Sequence, residues 1–322
     1  MATATTTLLK PIIHTIFEPI TSTWQYLIAC PVTDHAAIID PVLSYEPSTN
    51  TISTDSADDL LSLITTNQYT ITHILETHAH ADHLTAAYYL QQRLLSSSET
   101  QTKKPPQASK PKICIGKRIH LVQSTFGPKF STPPSEMTNV FDHLWTDNET
   151  FQIGELKAEV LYLPGHTPDH VGYRIGDQDV FTGDSIFNPD VGSARCDFPG
   201  GDAHELWVLM SRLLALPPHV RLYTGHDYPP ADREGEEGGK ERPYTTVKEQ
   251  REGNKHVKSG TKEVDFVNWR RERDAGLGEP RLLSVAMQVN VRGGRLPGNG
   301  LLVLPIKGKG DVLSVMGLGL GV

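Results

Sequence analysis

Six consecutive residues, His78-Ala79-His80-Ala81-Asp82-His83, put three imidazoles and a carboxylate at the end of an apolar run. Few structural needs collect four metal-type ligands so closely. The preceding run, Ile71-Thr72-His73-Ile74-Leu75-Glu76, predicts a buried strand, and Leu84 to Leu95 predicts a helix with apolar residues at helical spacing. The ligands therefore fall on a strand-to-helix turn, a rigid place from which to aim side chains at one ion. Neutral imidazoles with a carboxylate suit zinc, iron or manganese. The bland alternative is a His-rich solvent loop.

Three further islands bear on that choice. Pro164-Gly165-His166-Thr167-Pro168-Asp169-His170, Phe181-Thr182-Gly183-Asp184-Ser185 and Tyr223-Thr224-Gly225-His226-Asp227-Tyr228 each follow a strand-like apolar run. One such His or Asp is more often a turn or capping residue. Four islands in this order resemble the metallo-β-lactamase superfamily, whose pattern is His-x-His-x-Asp-His, then Gly-His, then Thr-Gly-Asp, then Gly-His. The likeness runs from about His35 to His226.

Within that superfamily the chain looks nearest to the persulfide dioxygenases, also called sulfur dioxygenases, and among them to the bacterial-type members. The segments that carry this are Ala37-Ile38-Ile39-Asp40-Pro41-Val42, Gly192-Ser193-Ala194-Arg195-Cys196-Asp197-Phe198-Pro199-Gly200-Gly201 and His226-Asp227-Tyr228. The tail from Pro280 to Pro297 is similar as well. Pro168-Asp169 and Ser193 depart from the commoner pattern, which bears on substrate geometry more than on the metal.

The resemblance implies an α/β fold, a single-domain αββα sandwich. The residue pattern predicts strands at Ile12 to Phe17, Thr23 to Ala29 and Ala36 to Asp40, with a turn at Pro31-Val32-Thr33-Asp34. Helices are expected from Ala57 to Asn67, capped by Asp55 or Ser56, from Ala203 to Leu216, and from Lys262 to Ala275 with Val264, Phe266, Val267 and Trp269 on its apolar side. Ser96 to Pro111 is polar and proline-rich and reads as an exposed loop. The division is then a frayed tail over 1–11, a catalytic core over 12–228, a charged insert loop over 229–262 that could act as a lid, and a C-terminal helix and tail over 263–322 packing on the core. The insert holds too few apolar residues for a core of its own.

Composition narrows the function classes. A net charge of −8 and a pI near 5.9 advertise neither nucleic acid nor an anionic membrane as partner. The most apolar stretch, Gly300 to Val322, is broken by Lys307, Lys309 and Asp311 and does not read as a membrane span. Three cysteines, Cys30, Cys114 and Cys196, make no disulfide framework and fit a reducing compartment. Met1 to Phe17 is Thr-rich with Lys10 as its sole basic residue. The cytoplasm is the expected location and the mitochondrial matrix, where animal and plant dioxygenases work, the alternative.

The ligand islands leave one metal or two open. By resemblance to glyoxalase II and the lactamases, His78, His80 and His166 would hold one zinc, Asp82, His83 and His226 a second, and Asp184 would bridge. By resemblance to the dioxygenases, one Fe(II) per chain would sit on His78, His166 and Asp184, with His80, Asp82, His83 and His226 orienting ligands and carrying protons. Arg195 beside the site fits an anionic thiol, which it would grip bidentately. Cys196 is a candidate for substrate contact, and Tyr228 for a hydrogen bond near the open face. The expected activity is oxidation of glutathione persulfide by O₂ to sulfite and glutathione, without nucleic-acid or membrane partners and with homodimerisation left open. The alternative is a dinuclear zinc hydrolase of glyoxalase II or lactonase type.

Overall fold

Every residue of the strand Thr23–Ala29 is buried, and side chains of a strand alternate between its faces. Leu27 and Ala29 therefore meet one apolar cluster with Ile38 and Ile74, while Tyr26 and Ile28 meet another with Ala37, Ile39 and Leu75. A sheet buried on both faces needs a layer on each side. In this computed structural model, which describes residues 9–100, 110–234, 240–297 and 306–307, both layers are present.

The first sheet orders its strands Ile12–Glu18, Thr23–Ala29, His35–Ile39, Thr70–Leu75, Lys112–Gly116, His143–Trp145. The second runs Thr150–Ile153, Leu156–Tyr162, Val171–Ile175, Asp179–Gly183, Arg221–Thr224, Tyr244–Thr246. Their facing sides share the cluster containing Tyr26, Ile28, Val160, Tyr173 and Phe181. Helices Asp55–Asn67 and Ala87–Thr100 cover the first sheet through Leu60, Ile64 and Leu90. Helix Ala203–Leu214, capped by the Asp202 carboxylate on the amides of His204 and Glu205, covers the second through Leu206, Leu209, Met210 and Leu213. This is the expected αββα sandwich. Each fully buried Leu, Ile or Phe contributes roughly 1.5–3 kcal/mol relative to exposure, so the strand ends that carry the ligand islands are rigidly held. Among the described residues no helix is long and apolar enough to cross a membrane.

Several local expectations need correction. Leu84–Thr85 is not helical but pairs antiparallel with Val42 and Leu43, because β-branched Thr85 is more useful before the helix, where its hydroxyl accepts from the Ala87 amide. The helix that follows runs on through Ser96 to Thr100, and 101–109 lie outside the described residues. The first helix starts at Asp55, so Asp55 and Ser56 are in its first turn and Thr54 precedes it.

The segment 229–262 is not a continuous loop. Tyr244–Thr246 pairs with Arg221–Thr224 as an edge strand, and Val247–Gly253 is a helix begun by a capping box between Thr246 and Glu249. Val247, Gln250, Asn254 and Val257 are buried. In helix Glu263–Ala275 the inward face is Phe266, Val267, Arg270 and Asp274, whereas Val264 is 59% exposed and Trp269 reaches a surface cleft. Leu283–Asn290 forms a further helix, burying Leu283, Ala286, Met287 and Val289. Most of the 1–11 tail and of the segment after Pro297 lies outside the described residues.

Candidate metal centre

Each ligand island hangs from a strand end as expected. His78, His80, Asp82 and His83 follow Thr70–Leu75, His166 follows Leu156–Tyr162, Asp184 ends Asp179–Gly183, and His226 follows Arg221–Thr224. The strand ends approach so closely that a Cβ on Gly225 would lie 2.4 Å from Asp184 Oδ1. Only glycine fits there.

Three donors converge. His78 Nε2 and His166 Nε2 lie 4.0 and 3.8 Å from Asp184 Oδ2, and the three ligand atoms all fall within 4.8 Å of one another. The tautomers suit a cation. His166 donates its Nδ1 proton to the Arg195 carbonyl at 2.7 Å, which leaves Nε2 a lone pair facing Asp184. Thr77 donates its hydroxyl to Asp40 Oδ2 at 2.8 Å, so the same oxygen, 3.0 Å from His78 Nδ1, accepts from it. His78 Nε2 is consequently a bare lone pair, buried and without a protein partner. An ion is the partner that such an atom fits. Burial holds His78 well below the usual imidazole range, and neutral is the ligating form. Burial alone would raise Asp184, but the adjoining His226 overrides it and brings the carboxyl down to about 2.

The remaining members of the expected set are differently engaged. His226 spans two carboxylates, with Nδ1 2.7 Å from Asp184 Oδ1 and Nε2 2.6 Å from Asp82 Oδ2. His80 Nε2 lies 3.0 Å from Asp40 Oδ1 and 3.5 Å from Glu76 Oε2. His83 Nδ1 is 3.4 Å from Asp82, and His80 Nδ1 and His83 Nε2 are buried without partners. Among the described residues three further groupings of ligand atoms exist, His80–Asp82–His83, Asp82–Asp184–His226 and Asp40–Glu76–His80.

Further residues join the centre without having been assigned roles beforehand. His170 Nε2 accepts the Asp184 amide at 3.0 Å, and its ring stacks on His78 with centroids 4.7 Å apart. Its signal was present four residues after His166 in the same island. Asp169 accepts the Ala79 amide at 2.8 Å and ties the His166 turn to the His78 turn. Asp40 and Thr77 act as described above.

Beside the centre is a cleft of about 420 Å³, lined among others by Asp82, His166, Asp184, Phe187 and Tyr228. Tyr228 is half exposed, its ring parallel to that of His226 with centroids 5.8 Å apart. Desolvation of its phenol, reinforced by Asp82 and Asp184, pushes the hydroxyl up to about 12. It is a proton donor at neutral pH. Arg195 also lines the cleft, but its guanidinium donates to Asp197 and to the Gly278 carbonyl. Cys196 does not line it. The Cys196 side chain packs with Leu163 and Leu206, burial pushes its thiol up, and its amide bonds to Asp274.

The family model described as the metallo-beta-lactamase superfamily matches residues 20–226, well over half of the chain. The chain belongs to the metallo-β-lactamase superfamily. Among curated relatives of this superfamily member, the protein named glyoxylase B2 from Dictyostelium discoideum is 42% identical over 279 residues, covering 86% of this chain and 88% of its own length. A beta-lactamase hydrolase-like protein from Xylella fastidiosa is 40% identical over 89% of this chain, which spans only 62% of that relative. The crystal structure of ETHE1 from Myxococcus xanthus superposes with a TM-score of 0.65 at 27% identity, covering 88% of this chain and all of that one.

Proposed function

We propose that this superfamily member is an iron-dependent persulfide dioxygenase, with glutathione persulfide, O₂ and water as reactants and glutathione and sulfite as products. The observation that carries the proposal is the inequality of the ligands. His78, His166 and Asp184 present donor atoms to one point, while His226 has both ring nitrogens bound to carboxylates. Two imidazoles and one carboxylate suit one Fe(II) per chain and leave one face open. Likeness to ETHE1 supports the same direction.

Iron held there would supply O₂ activation. The chain's own residues do the rest. The cleft admits the persulfide with its terminal sulfur toward His78, His166 and Asp184. His226, held as an imidazolium between the Asp184 and Asp82 carboxylates, steadies Asp184, and the proton released by the persulfide leaves through the cleft to water. Tyr228 donates a hydrogen bond across the open face. Overall the terminal sulfur is oxidised to sulfite, the sulfur–sulfur bond breaks, and the carrier sulfur leaves as a thiol.

A dinuclear zinc hydrolase of glyoxalase II or lactonase type is the second reading. It is favoured by the Asp82–Asp184–His226 grouping and by the names of the curated relatives.

Metal analysis of protein purified without added metal, with oxygen uptake on glutathione persulfide set against hydrolysis of a glutathione thioester, separates the two. One iron per chain with oxygen uptake is expected. His78→Ala, His166→Ala and Asp184→Ala should each abolish binding, whereas Asp82→Ala should keep close to one iron and slow turnover about ten- to a hundredfold, as loss of a ligand-orienting group does. Two zinc ions falling to one in Asp82→Ala, with thioester hydrolysis and no oxygen uptake, would overturn the proposal.

A further inference from the structure

The cleft beside the metal centre is cationic in a chain whose net charge is −8. Four basic side chains line it: Arg195, Lys255, Arg270 and Arg273. Two are already neutralised. Arg195 is paired with Asp197, and buried Arg270 is paired with Asp274 while also donating to the Ala194 carbonyl. Lys255 and Arg273 have no side-chain hydrogen bond or ion pair among the described residues. Of the two acidic residues in the lining, Asp82 and Asp184 are both bound to His226. Two cations without a partner among the described residues therefore line the cleft.

A third donor, His256, lines the same cleft. Both the amide and the hydroxyl of Ser193 lie 3.0 Å from His256 Nδ1. A backbone N–H can only donate, so Nδ1 accepts and the ring proton sits on Nε2. Nε2 has no partner among the described residues. The ring is held for this purpose from two sides. Gly192, at φ +98°, makes room for it, since a Cβ there would come within 2.2 Å of Nδ1, and Trp269 packs on its other side with ring centroids 4.0 Å apart.

We propose that Lys255, Arg273 and the His256 Nε2–H form a subsite for a carboxylate on the tail of the thiol carrier. This rests on the cleft receiving a glutathione-type thiol, and it moves recognition of the anionic tail away from Arg195. Planar guanidinium, point-charge ammonium and neutral N–H together match the two oxygens of a carboxylate. The apolar Trp269 and Phe187 lie in the same lining and suit the peptide backbone of such a carrier.

The test is anaerobic calorimetric binding to the metal-loaded full chain, with glutathione, glutathione diethyl ester and coenzyme A as probes and no persulfide present. Wild type should bind glutathione about tenfold or more tightly than the diester, the size expected of a charge-assisted contact. Lys255→Ala and Arg273→Ala should each weaken glutathione about three- to tenfold, and the double variant should no longer distinguish acid from ester. Equal wild-type affinity for acid and ester overturns the subsite without any variant having to fold, and preference for coenzyme A over glutathione overturns it too. Unchanged glutathione affinity in the double variant, at unchanged metal content, has the same meaning. No oxygen is consumed, so absent dioxygenase turnover with intact glutathione binding would remove the proposed reaction and leave the subsite standing.

Discussion

Arg195 borders the cleft with its guanidinium already engaged. Its guanidinium donates to Asp197 and Gly278, while its own carbonyl receives the His166 Nδ1 proton. It therefore braces the loop that fixes the tautomer of a metal ligand. Arg195→Ala should lose metal to a chelator about tenfold faster than wild type, in keeping with loss of an outer-shell support. A time course of retained metal by elemental analysis measures this. If retention is unchanged and the KM for the thiol substrate rises instead, Arg195 grips substrate as the sequence pattern suggested. The candidate ligand set itself was legible because metal chemistry requires those residue types at strand ends. The bracing role was not, since one of its acceptors, Gly278, is 83 residues away and pairing depends on where the chain returns.

The stretch after Tyr228 shows the same limit for whole elements. Its density of charge reads as solvation, yet several of its arginines are engaged. Arg233, nearly buried, bridges Asp190 and Asp227, Arg242 pairs with Glu249, and Arg251 donates to the carbonyls of Leu214 and Leu216. Composition counts charges but does not pair them. The capping box at Thr246 and Glu249 was a readable helix start, and the three-residue edge strand before it is too short to show a period. Replacing Asp232 to Lys240 by a flexible linker would therefore remove a structural clamp, contrary to the reading of a solvated loop. Arg233→Ala should cost about 3 kcal/mol in urea denaturation, because it leaves the fully buried Asp227 without its cation. Replacing only residues 235–239 by Gly-Ser should cost no more than about 1 kcal/mol. Equal, small losses in both variants would refute the clamp.

At the scale of the molecule, the metal centre is closed from its far end. Asn290 donates to the carbonyls of His80 and His83 and accepts the Thr85 amide, all at 2.7–2.9 Å. One amide side chain thus pins the His78–His83 turn to the helix Leu283–Asn290. Asn290→Ala leaves three buried backbone groups unpaired and should destabilise the chain by about 3 kcal/mol or more, with weakened metal retention as the accompanying sign. Thermal unfolding of metal-free and metal-loaded forms measures both, and a loss below about 0.5 kcal/mol, the scale of an ordinary surface change, would show the pin to be dispensable. The four layers were legible through the family resemblance that the ligand islands carry, with the alternation of strands and helices fitting it, whereas this long-range tie was not, because an Asn in a short helix looks like any other. It also gives biosynthesis an order. A ribosome adding 5–20 residues per second needs on the order of ten to forty seconds to travel from His78 to Asn290. Through that interval the nascent imidazoles exist without His166, Asp184 or their pin for much of the time, so the choice among competing cellular ions belongs to the completed chain and to whatever ions surround it at that moment.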